Sequence, residues 1–259
     1  MCVSMTPWDR TLTKTQAKFI KSLRLKKHRQ QHQAFVVEGA QNVHAALSSK
    51  FAVQMVAGTP SFLQRVSPHA LTSAAFFYAA TEQTLAGLGT LRTNSTALAV
   101  VRIPPATRLP STGLILALDN LQDPGNLGTI IRTADWYAIS DIVCSLHTVE
   151  LYNPKVLRAS MGSFANVSVH YTDLPSYLRQ VGVPVVGAVL DTDASSELNL
   201  SAPGVLVIGN EAQGISSAVS TCLQERVTIP RLGRAGSLNA AVATAILCDR
   251  WRQRCTGAV

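Results

Sequence analysis

The chain has 259 residues, of which 47% are hydrophobic, so one large or two smaller globular domains are expected. No apolar run reaches the roughly 18 residues of a membrane span, and the basic N-terminus lacks the apolar core of a secretory signal. A cytoplasmic protein without membrane contact is therefore predicted. The five cysteines form no C-x-x-C pair, which disfavours a disulfide framework or a zinc site and predicts no metal.

The net charge of +8 is concentrated near the N-terminus. Residues 1–30 carry eight basic side chains and one acid, which leaves a net charge of +1 for the rest of the chain. A cationic segment of this kind favours binding to a phosphate backbone, because each neutralised phosphate releases counterions. The alternative is a solvated basic helix. The candidate phosphate contacts are Lys18, Lys21, Lys26 and Lys27.

The first half of the chain alternates predicted helices and strands, which is typical of a small α/β domain over residues 1–104. Its predicted elements are a helix from Thr13 to Arg29, a strand at Ala34–Glu38, a helix from Gln41 to Ser48, a strand at Phe51–Val56, a helix from Thr81 to Leu88 and a strand at Ala97–Val101. Three prolines within residues 103–112 resist both helix and sheet, so a linker is predicted at residues 105–112.

The second half, residues 113–259, repeats the order strand, loop, helix. The predicted strands are Gly113–Leu118, Ile142–Cys144, Pro184–Leu190, Gly204–Ile208 and Arg226–Ile229, and a helix runs from Leu238 to Arg254. The strands are short continuous apolar runs, as expected for a parallel sheet that is covered on both faces. Ligands gather at the carboxyl ends of such strands, which directs attention to three loops.

The first loop contains the turn residues Asp123 to Asn126, and Asn126 is a good helix N-cap. In the helix that follows, Arg132 lies off the apolar stripe. The second loop places Gly209 directly after a buried strand, where a glycine lets a ligand approach the backbone. Gly209 and Gly214 have the spacing of a P-loop, but Ile215 replaces its lysine, so a nucleotide triphosphatase is disfavoured.

The third loop is a glycine-rich turn after the strand that ends at Pro230. Ser237 and Asn239 then open an apolar helix that is rich in alanine, which could pack closely on a ligand or on a second chain. Each loop alone could be a capped connection without a function.

Together, in this order and spacing, the three loops resemble the signature motifs of the SpoU/TrmH family of RNA ribose methyltransferases, within the SPOUT superfamily. The matching residues are Asn126 to Arg132 in the first loop, Gly209 to Ser216 in the second and Ile229 to Asn239 in the third. The segment Val156–Gly162 is similar to the family's connecting segment, and Phe35–Gly39 to its N-terminal substrate-binding domain. One departure is Ala212, where the family frequently has a glycine.

The resemblance implies a catalytic domain with a parallel sheet and a deep trefoil knot, preceded by a smaller L30e-like α/β domain that binds the RNA substrate. It implies S-adenosylmethionine as cofactor, contacted near Leu190, Gly209, Ile229 and Leu238, and methylation of a ribose 2′-hydroxyl. The implied catalytic set is Asn126, Arg132, Glu211, Ser237 and Asn239. Because a guanidinium has a pKa above about 12, we expect Arg132 to hold phosphate and polarise the hydroxyl rather than act as a base.

The resemblance also implies a homodimer, and Arg158 is a further candidate RNA contact. Ribosomal RNA is the preferred substrate and transfer RNA the alternative, because the N-terminal domain resembles that of ribosomal-RNA-modifying members. A noncatalytic RNA-binding protein with the same fold, and a methyltransferase that acts on a base nitrogen, are the competing functions. The complete set of motif residues argues against the first, and the Ser237–Asn239 ending against the second.

Overall fold

The computed structural model describes residues 10–67, 74–90, 96–190, 194–195 and 203–256. Within these residues the chain forms two compact units. Unit 1 comprises the described residues of Met1–Pro105 together with Tyr152–Ala165, and unit 2 comprises those of Ala106–Leu151 and Asn166–Val259. The described part of the chain contains no helix with the length and hydropathy that a membrane crossing requires.

The elements follow in chain order. They are α1 (Lys14–Ser22), α2 (Lys26–His32), β1 (Ala34–Glu38), α3 (Ala40–Leu47), β2 (Val53–Gly58), α4 (Pro60–Leu63), β3 (Phe77–Ala79), α5 (Glu82–Leu88), β4 (Ala97–Arg102), β5 (Leu114–Leu118), α6 (Pro124–Trp136), β6 (Asp141–Ser145), α7 (Pro154–Ser160), a 3₁₀ turn (Ser163–Ala165), β7 (Ser168–Thr172), α8 (Leu174–Gln180), β8 (Val185–Ala188), β9 (Gly204–Ile208), α9 (Ser217–Ser220), β10 (Glu225–Val227) and α10 (Ala240–Thr256).

Unit 1 is built on a four-stranded sheet in the order β1-β4-β2-β3. The central strand β4 is antiparallel to β1 and β2, whereas β3 is parallel to β2. Ile20 and Leu23 pack from α1 into a core with Leu85 and Leu88 of α5 and with the sheet. These contacts explain why the apolar stripe of α1 is spaced as a helix.

The prediction of one continuous helix from Thr13 to Arg29 is wrong, because the helix is interrupted between α1 and α2. Leu25 is extended there, with φ −92° and ψ 133°. Arg29 is only 4% exposed, and its guanidinium donates to the carbonyl oxygens of Leu23 at 2.9 Å and Arg24 at 2.7 Å. The buried cation thus satisfies carbonyl groups that the end of α1 leaves unpaired.

The segment Tyr152–Ala165 follows β6 in the sequence but belongs to unit 1. The rings of Tyr152 and Phe164 pack against Phe35 of β1, at centroid distances of 4.4 and 6.4 Å. Gln41 donates to the carbonyl oxygen of Met161 at 2.9 Å. The core of unit 1 is therefore completed by a segment distant in sequence, which a division of the chain into two halves does not predict.

Unit 2 contains a six-stranded sheet in the order β10-β8-β9-β5-β6-β7, in which every neighbouring pair is parallel. The central strands β5 and β9 are buried along their whole length. Helices α6 and α10 pack against each other. The predicted α/β class, with a parallel sheet in the second half, is confirmed.

The proline-rich segment packs on unit 2. Tyr177 donates from its hydroxyl to the carbonyl oxygen of Pro110 at 2.8 Å, and Thr107 lies 3.4 Å from His170. His170 in turn donates to the Asp141 carboxylate at 3.0 Å, and this hydrogen bond holds the pKa of Asp141 below its usual value. The proline content of this segment therefore correctly indicates irregular backbone, but it does not show that the segment is a flexible linker.

Candidate active site

Three loops carry four of the five predicted catalytic residues of unit 2, and the fifth, Arg132, lies on α6. Loop 1 (residues 119–126) follows β5, loop 2 (residues 209–216) follows β9, and loop 3 (residues 228–239) follows β10. Strands β5 and β9 are parallel neighbours, with Leu118 paired to Ile208, so loops 1 and 2 leave the sheet side by side. This is the place in a parallel sheet where a ligand site is expected.

A cavity of about 740 Å³ lies at this end of the sheet, beyond β8, β9 and β10. All four predicted cofactor contacts, Leu190, Gly209, Ile229 and Leu238, line it. The cavity is open, since Leu190 and Leu238 keep 72% and 46% of their surface exposed. Its size lies within the range of small-molecule sites, and strand-end backbone beside apolar side chains suits a nucleoside.

Hydrogen bonds join the three loops through three of the predicted catalytic residues. Asn126 donates from Nδ2 to Oε1 of Glu211 at 2.8 Å. Asn239 donates from Nδ2 to Oδ1 of Asn126, also at 2.8 Å. Oδ1 of Asn239 accepts from the backbone N–H of Ala241 at 2.9 Å and of Val242 at 3.3 Å, so Asn239 caps α10.

The chemistry of these partners fixes the orientation of both amides. Oδ1 of Asn239 faces two backbone N–H groups and must accept, so its Nδ2 must donate to Asn126. Asn126 must then accept with Oδ1 and donate with Nδ2, which meets the acceptor-only carboxylate of Glu211. Glu211 also accepts from the backbone N–H of Asp123 at 3.3 Å and lies at the N-terminus of α6, where the helix dipole favours an anion.

Asn126 is not the N-cap that the sequence predicts. Asp123 caps α6, with its carboxylate accepting from the backbone N–H of Asn126 at 2.8 Å, and Pro124 occupies the first turn. Asn126 therefore lies inside the first turn and is 8% exposed. The shift of three residues frees its side chain for Glu211 and Asn239, because a capping amide would be occupied by its own helix.

The remaining two predicted catalytic residues are placed differently. Ser237 is exposed and lines the cavity. Arg132 is exposed on α6 and does not line the cavity, and its guanidinium has no hydrogen bond or ion pair among the described residues. One chain thus brings Glu211 and Ser237 to the cavity and leaves Arg132 apart from it.

In the structure, a glycine is required at position 209 by backbone packing, whereas the sequence suggested that it allows a ligand to approach. A Cβ at this position would lie 2.2 Å from the carbonyl carbon of Gly214 and 2.3 Å from the nitrogen of Ile215. The space that a side chain would need is thus filled by the chain's own backbone, which folds back over Gly209. Loop 2 therefore requires this glycine whether or not a ligand is bound.

The predicted RNA contacts lie in unit 1. Lys18, Lys21, Lys26 and Lys27 are exposed on α1 and α2, and Arg158 is exposed on α7. Two other cations of this region are used within the fold. Arg29 satisfies the end of α1, as described above, and Arg24 donates to the carbonyl oxygens of Leu88 and Gly89 at the end of α5. The charge of residues 1–30 is therefore only partly available to a ligand.

Comparison with known proteins identifies the chain. Residues 113–249 match the SpoU rRNA Methylase family, which is more than half of the chain. The chain belongs to this family. Residues 14–99 match the MRM3-like substrate binding domain. The family that the three loops predict is thus confirmed, and its match begins where the predicted catalytic half begins.

Relatives of this family match in sequence over most or part of their length. A Bacillus subtilis protein named 23S rRNA (guanosine(2553)-2′-O)-methyltransferase RlmP is 34% identical over 231 residues, covering 88% of this chain and 92% of the relative. A Streptomyces viridochromogenes protein named 23S rRNA (uridine(2479)-2′-O)-methyltransferase is 34% identical over 175 residues, covering 62% and 61%.

Solved structures of SpoU relatives match in fold. A TrmH-family protein from Porphyromonas gingivalis has a TM-score of 0.81 at 37% identity, covering 94% of this chain and 99% of that protein. An AdoMet-bound rRNA methyltransferase from Sinorhizobium meliloti has a TM-score of 0.81 at 26% identity, covering 96% and 98%. The likeness therefore extends over both units of the chain.

Two polar residues beside the site, Asp119 and Asn210, are not part of the predicted catalytic set. Asp119, which is 4% exposed, accepts from the backbone N–H of Ser216 at 2.7 Å, and Asn210 donates to the carbonyl oxygen of Asn120, also at 2.7 Å. Both contacts join loop 1 to loop 2. A polar residue directly after a buried strand was the available signal, since Asp119 follows β5 as Gly209 follows β9.

Proposed function

We propose that this protein is an S-adenosylmethionine-dependent methyltransferase that modifies a ribose 2′-hydroxyl of RNA, with ribosomal RNA as its substrate. The observation that carries the proposal is the 740 Å³ cavity at the carboxyl ends of the strands, with Glu211 at its edge bonded to Asn126 of the neighbouring loop. Membership of the SpoU rRNA Methylase family and the names of the relatives support the same activity.

The residues that line the cavity fit S-adenosylmethionine. Leu190, Ile229 and Leu238 offer apolar surface for an adenine ring, and the strand ends offer backbone donors and acceptors. When bound, the cofactor supplies a methyl group that its sulfonium already activates toward a nucleophile. The protein then has to align the ribose oxygen with the methyl group, and the hydroxyl proton has to leave to solvent as the oxygen is methylated. Ser237 and Glu211 are the polar side chains of the catalytic set that face the cavity and could orient the ribose.

Arg132 requires a second copy of the chain in this proposal. Its guanidinium would hold the phosphate beside the target ribose and polarise the hydroxyl, for which its planar fork of donors is suited. Because Arg132 is apart from the cavity of its own chain, we propose a homodimer in which Arg132 serves the partner's cavity. Exposed apolar side chains on the packed helices α6 and α10 support such an interface, since Trp136 is 84% and Val242 is 47% exposed.

Mixing two inactive variants tests this arrangement. If Arg132 acts across the interface, a heterodimer of Arg132→Ala and Glu211→Gln has one complete site and regains activity. If Arg132 acts within its own chain, the heterodimer has none. Light scattering should give twice the mass of one chain. A monomer with full activity would remove the dimer from the proposal.

Unit 1 is proposed as the RNA-binding part, with Lys18, Lys21, Lys26 and Lys27 as phosphate contacts and Arg158 as a further contact in the same unit. Its likeness to an MRM3-like substrate binding domain supports this role. The deep trefoil knot and the L30e-like character of unit 1 belong to the proposal as implications of the resemblance. The linker at residues 105–112 and a cytoplasmic location belong to it as predictions from the proline content and the composition of the sequence.

Incubation with S-adenosylmethionine labelled in the methyl group tests the activity. Ribosomal RNA should gain label. Alkaline hydrolysis should leave intact the phosphodiester bond on the 3′ side of the labelled nucleotide, because that bond is cleaved only when the 2′-hydroxyl is free. Label in transfer RNA alone would replace the substrate, and label on a base nitrogen would replace the reaction. A folded wild-type protein that labels no RNA would favour a noncatalytic RNA-binding role. Mapping ribose methylation in cells that lack the gene would identify the nucleotide.

A further inference from the structure

Loop 2 is a small closed ring of backbone. The N–H of Asn210 donates to the carbonyl oxygen of Gly214 at 2.9 Å, and the N–H of Gly214 donates back to Asn210 at 2.9 Å. Inside the ring, Oδ1 of Asn210 accepts from the N–H of Ala212 at 2.9 Å and of Gln213 at 3.0 Å. Gly214 has a φ of +70°, which closes the ring at a conformation that favours glycine.

Loop 2 is attached to loop 1 at both of its ends, through Asn210 and Ser216. At the first end, Nδ2 of Asn210 donates to the carbonyl oxygen of Asn120 at 2.7 Å. At the second end, the N–H of Ser216 donates to the buried carboxylate of Asp119 at 2.7 Å. Asn120 is itself held, because its N–H donates to Oγ of Ser145 at 2.8 Å.

Glu211 lies between these two attachments, one residue after Asn210. Its carboxylate must reach Asn126 at 2.8 Å, and hydrogen bonds weaken steeply when their geometry changes. We propose that Asn210 and Asp119 are positioning residues, which hold loop 2 so that Glu211 meets the first turn of α6. The inference rests on the proposed methyltransferase function, to which it adds two residues that act through Glu211, although Asn210 also lines the cavity.

The asparagine side chain satisfies all of these hydrogen-bond partners of Asn210, and an ionised aspartate cannot. Its Oδ1 faces two N–H groups and its Nδ2 faces a carbonyl oxygen, so the side chain must accept on one side and donate on the other. An ionised aspartate has no donor and would face the Asn120 carbonyl oxygen with a second oxygen. A protonated aspartic acid restores the donor, because its hydroxyl can occupy the place of the amide nitrogen.

Asn210→Asp therefore gives a test that depends on pH. We expect Asn210→Ala and, at pH 8, Asn210→Asp to lower kcat by about 10²-fold, the cost of a misplacement near 1 Å. Because the ionised form keeps about 1% of the activity, the ratio of Asn210→Asp to wild-type kcat should stay constant until about two pH units above the pKa of the introduced carboxyl, and then rise by about tenfold for each pH unit toward that pKa. The Asn210→Ala ratio should stay constant. A ratio for Asn210→Asp that stays constant down to the pKa of the introduced carboxyl, located by NMR titration, would overturn the role of the donor.

Asp119 is tested by rescue with a close analogue. Asp119→Asn keeps an oxygen that can accept from Ser216, so it should retain most of the wild-type kcat, whereas Asp119→Ala should lose at least tenfold, as expected for about 1.4 kcal/mol. Ser217→Ala is the matched control, since Ser217 is exposed just beyond loop 2 and outside the cavity lining. Equal kcat for Asp119→Ala and Ser217→Ala would remove Asp119 from the positioning set.

Hydrogen exchange on the ligand-free protein separates this inference from the proposed function. The amides of Ala212 and Gln213 should exchange about fivefold faster or more in Asn210→Ala, as expected for removal of roughly 1 kcal/mol of hydrogen bonding, and at the wild-type rate in Ser217→Ala. Unchanged exchange in Asn210→Ala would overturn the inference. If the wild type transfers no methyl group, the proposed function fails while the exchange rates still decide the positioning role.

Discussion

Replacing Gly209 by alanine tests the strongest steric requirement at the site. The added Cβ would lie 2.2 to 2.5 Å from backbone atoms of Gly214 and Ile215, where real Cβ contacts stay beyond 3.0 Å. Backbone cannot rotate away as a flexible side chain could, so Gly214 and Ile215 must shift. The shift breaks the pair of hydrogen bonds between Asn210 and Gly214 that closes loop 2.

The expected cost follows from these contacts. Two backbone hydrogen bonds at about 1 kcal/mol each, together with about 1–3 kcal/mol of overpacking, give a decrease of roughly 3–5 kcal/mol in the free energy of unfolding of unit 2. At about 2–4 °C per kcal/mol, the melting temperature of unit 2 should fall by roughly 10 °C. Denaturant titration followed by fluorescence of Trp251, which is fully buried on α10, reports this unit.

Gly233→Ala is the matched control. A Cβ at Gly233 meets no heavy atom within 4 Å, and its φ lies outside the left-handed region, so its stability should change by less than about 0.5 kcal/mol. If Gly209→Ala unfolds at the same denaturant concentration as Gly233→Ala, the closed geometry of loop 2 is wrong. If Gly209→Ala folds with wild-type stability and calorimetry shows only a loss of cofactor affinity, Gly209 is needed so that a ligand can approach the backbone, as the sequence alone suggested.

Three further predictions concern the reaction, the RNA and the fold. Arg132→Ala should abolish methyl transfer while calorimetry shows unchanged cofactor affinity, and Arg132→Lys should be nearly as poor because an ammonium lacks the planar fork; near-normal turnover in either would exclude Arg132 from the mechanism. Replacing Lys18, Lys21, Lys26 and Lys27 by glutamine should weaken RNA binding across sequences. The slope of log binding constant against log salt concentration should fall in magnitude by about 0.7–0.9 for each phosphate that is no longer neutralised. Cofactor affinity is the control, and a wild-type slope would contradict the assignment. Because the bond from His170 lowers the folded-state pKa of Asp141, its stabilisation is present above the unfolded pKa of about 3.9 and is lost as pH falls through the folded pKa. Asp141→Asn should therefore lower the free energy of unfolding more at pH 7 than in acid, and an equal decrease at both pH values would show that the charge of Asp141 is irrelevant.

The sequence predicted the family and the parallel sheet of unit 2 because both leave local signals. Strands such as β5 and β9 are buried on both faces and read as continuous apolar runs. The edge strand β7 was missed because only its central residue, His170, is buried, so its sequence lacks that pattern. Strand β3 was also missed, and it spans only three residues.

Other features depend on specific contacts that the hydrophobic pattern of the sequence does not show. The burial of Arg29 against carbonyl groups is invisible in a segment that reads as uniformly cationic. The inclusion of Tyr152–Ala165 in unit 1 depends on Phe35, which is far away in the sequence. The helix cap moved from Asn126 to Asp123 because both residue types cap well, and only the structure shows which one precedes the first turn.

The geometry of the three loops also separates the motif residues that hydrogen-bond to one another from Arg132, which does not do so in the part of the chain that the structure describes. Glu211, Asn126 and Asn239 use their donors and acceptors on one another and on the start of α10, so these groups hold the loops together before any ligand is bound. Arg132 has no such partner among the described residues, although it lies on the same helix as Asn126. A guanidinium kept free on the surface of an ordered helix is available to a group from outside the chain. The hydrogen-bonded set therefore holds the three loops together, whereas Arg132 keeps its guanidinium exposed, as the proposed contact with an RNA phosphate requires.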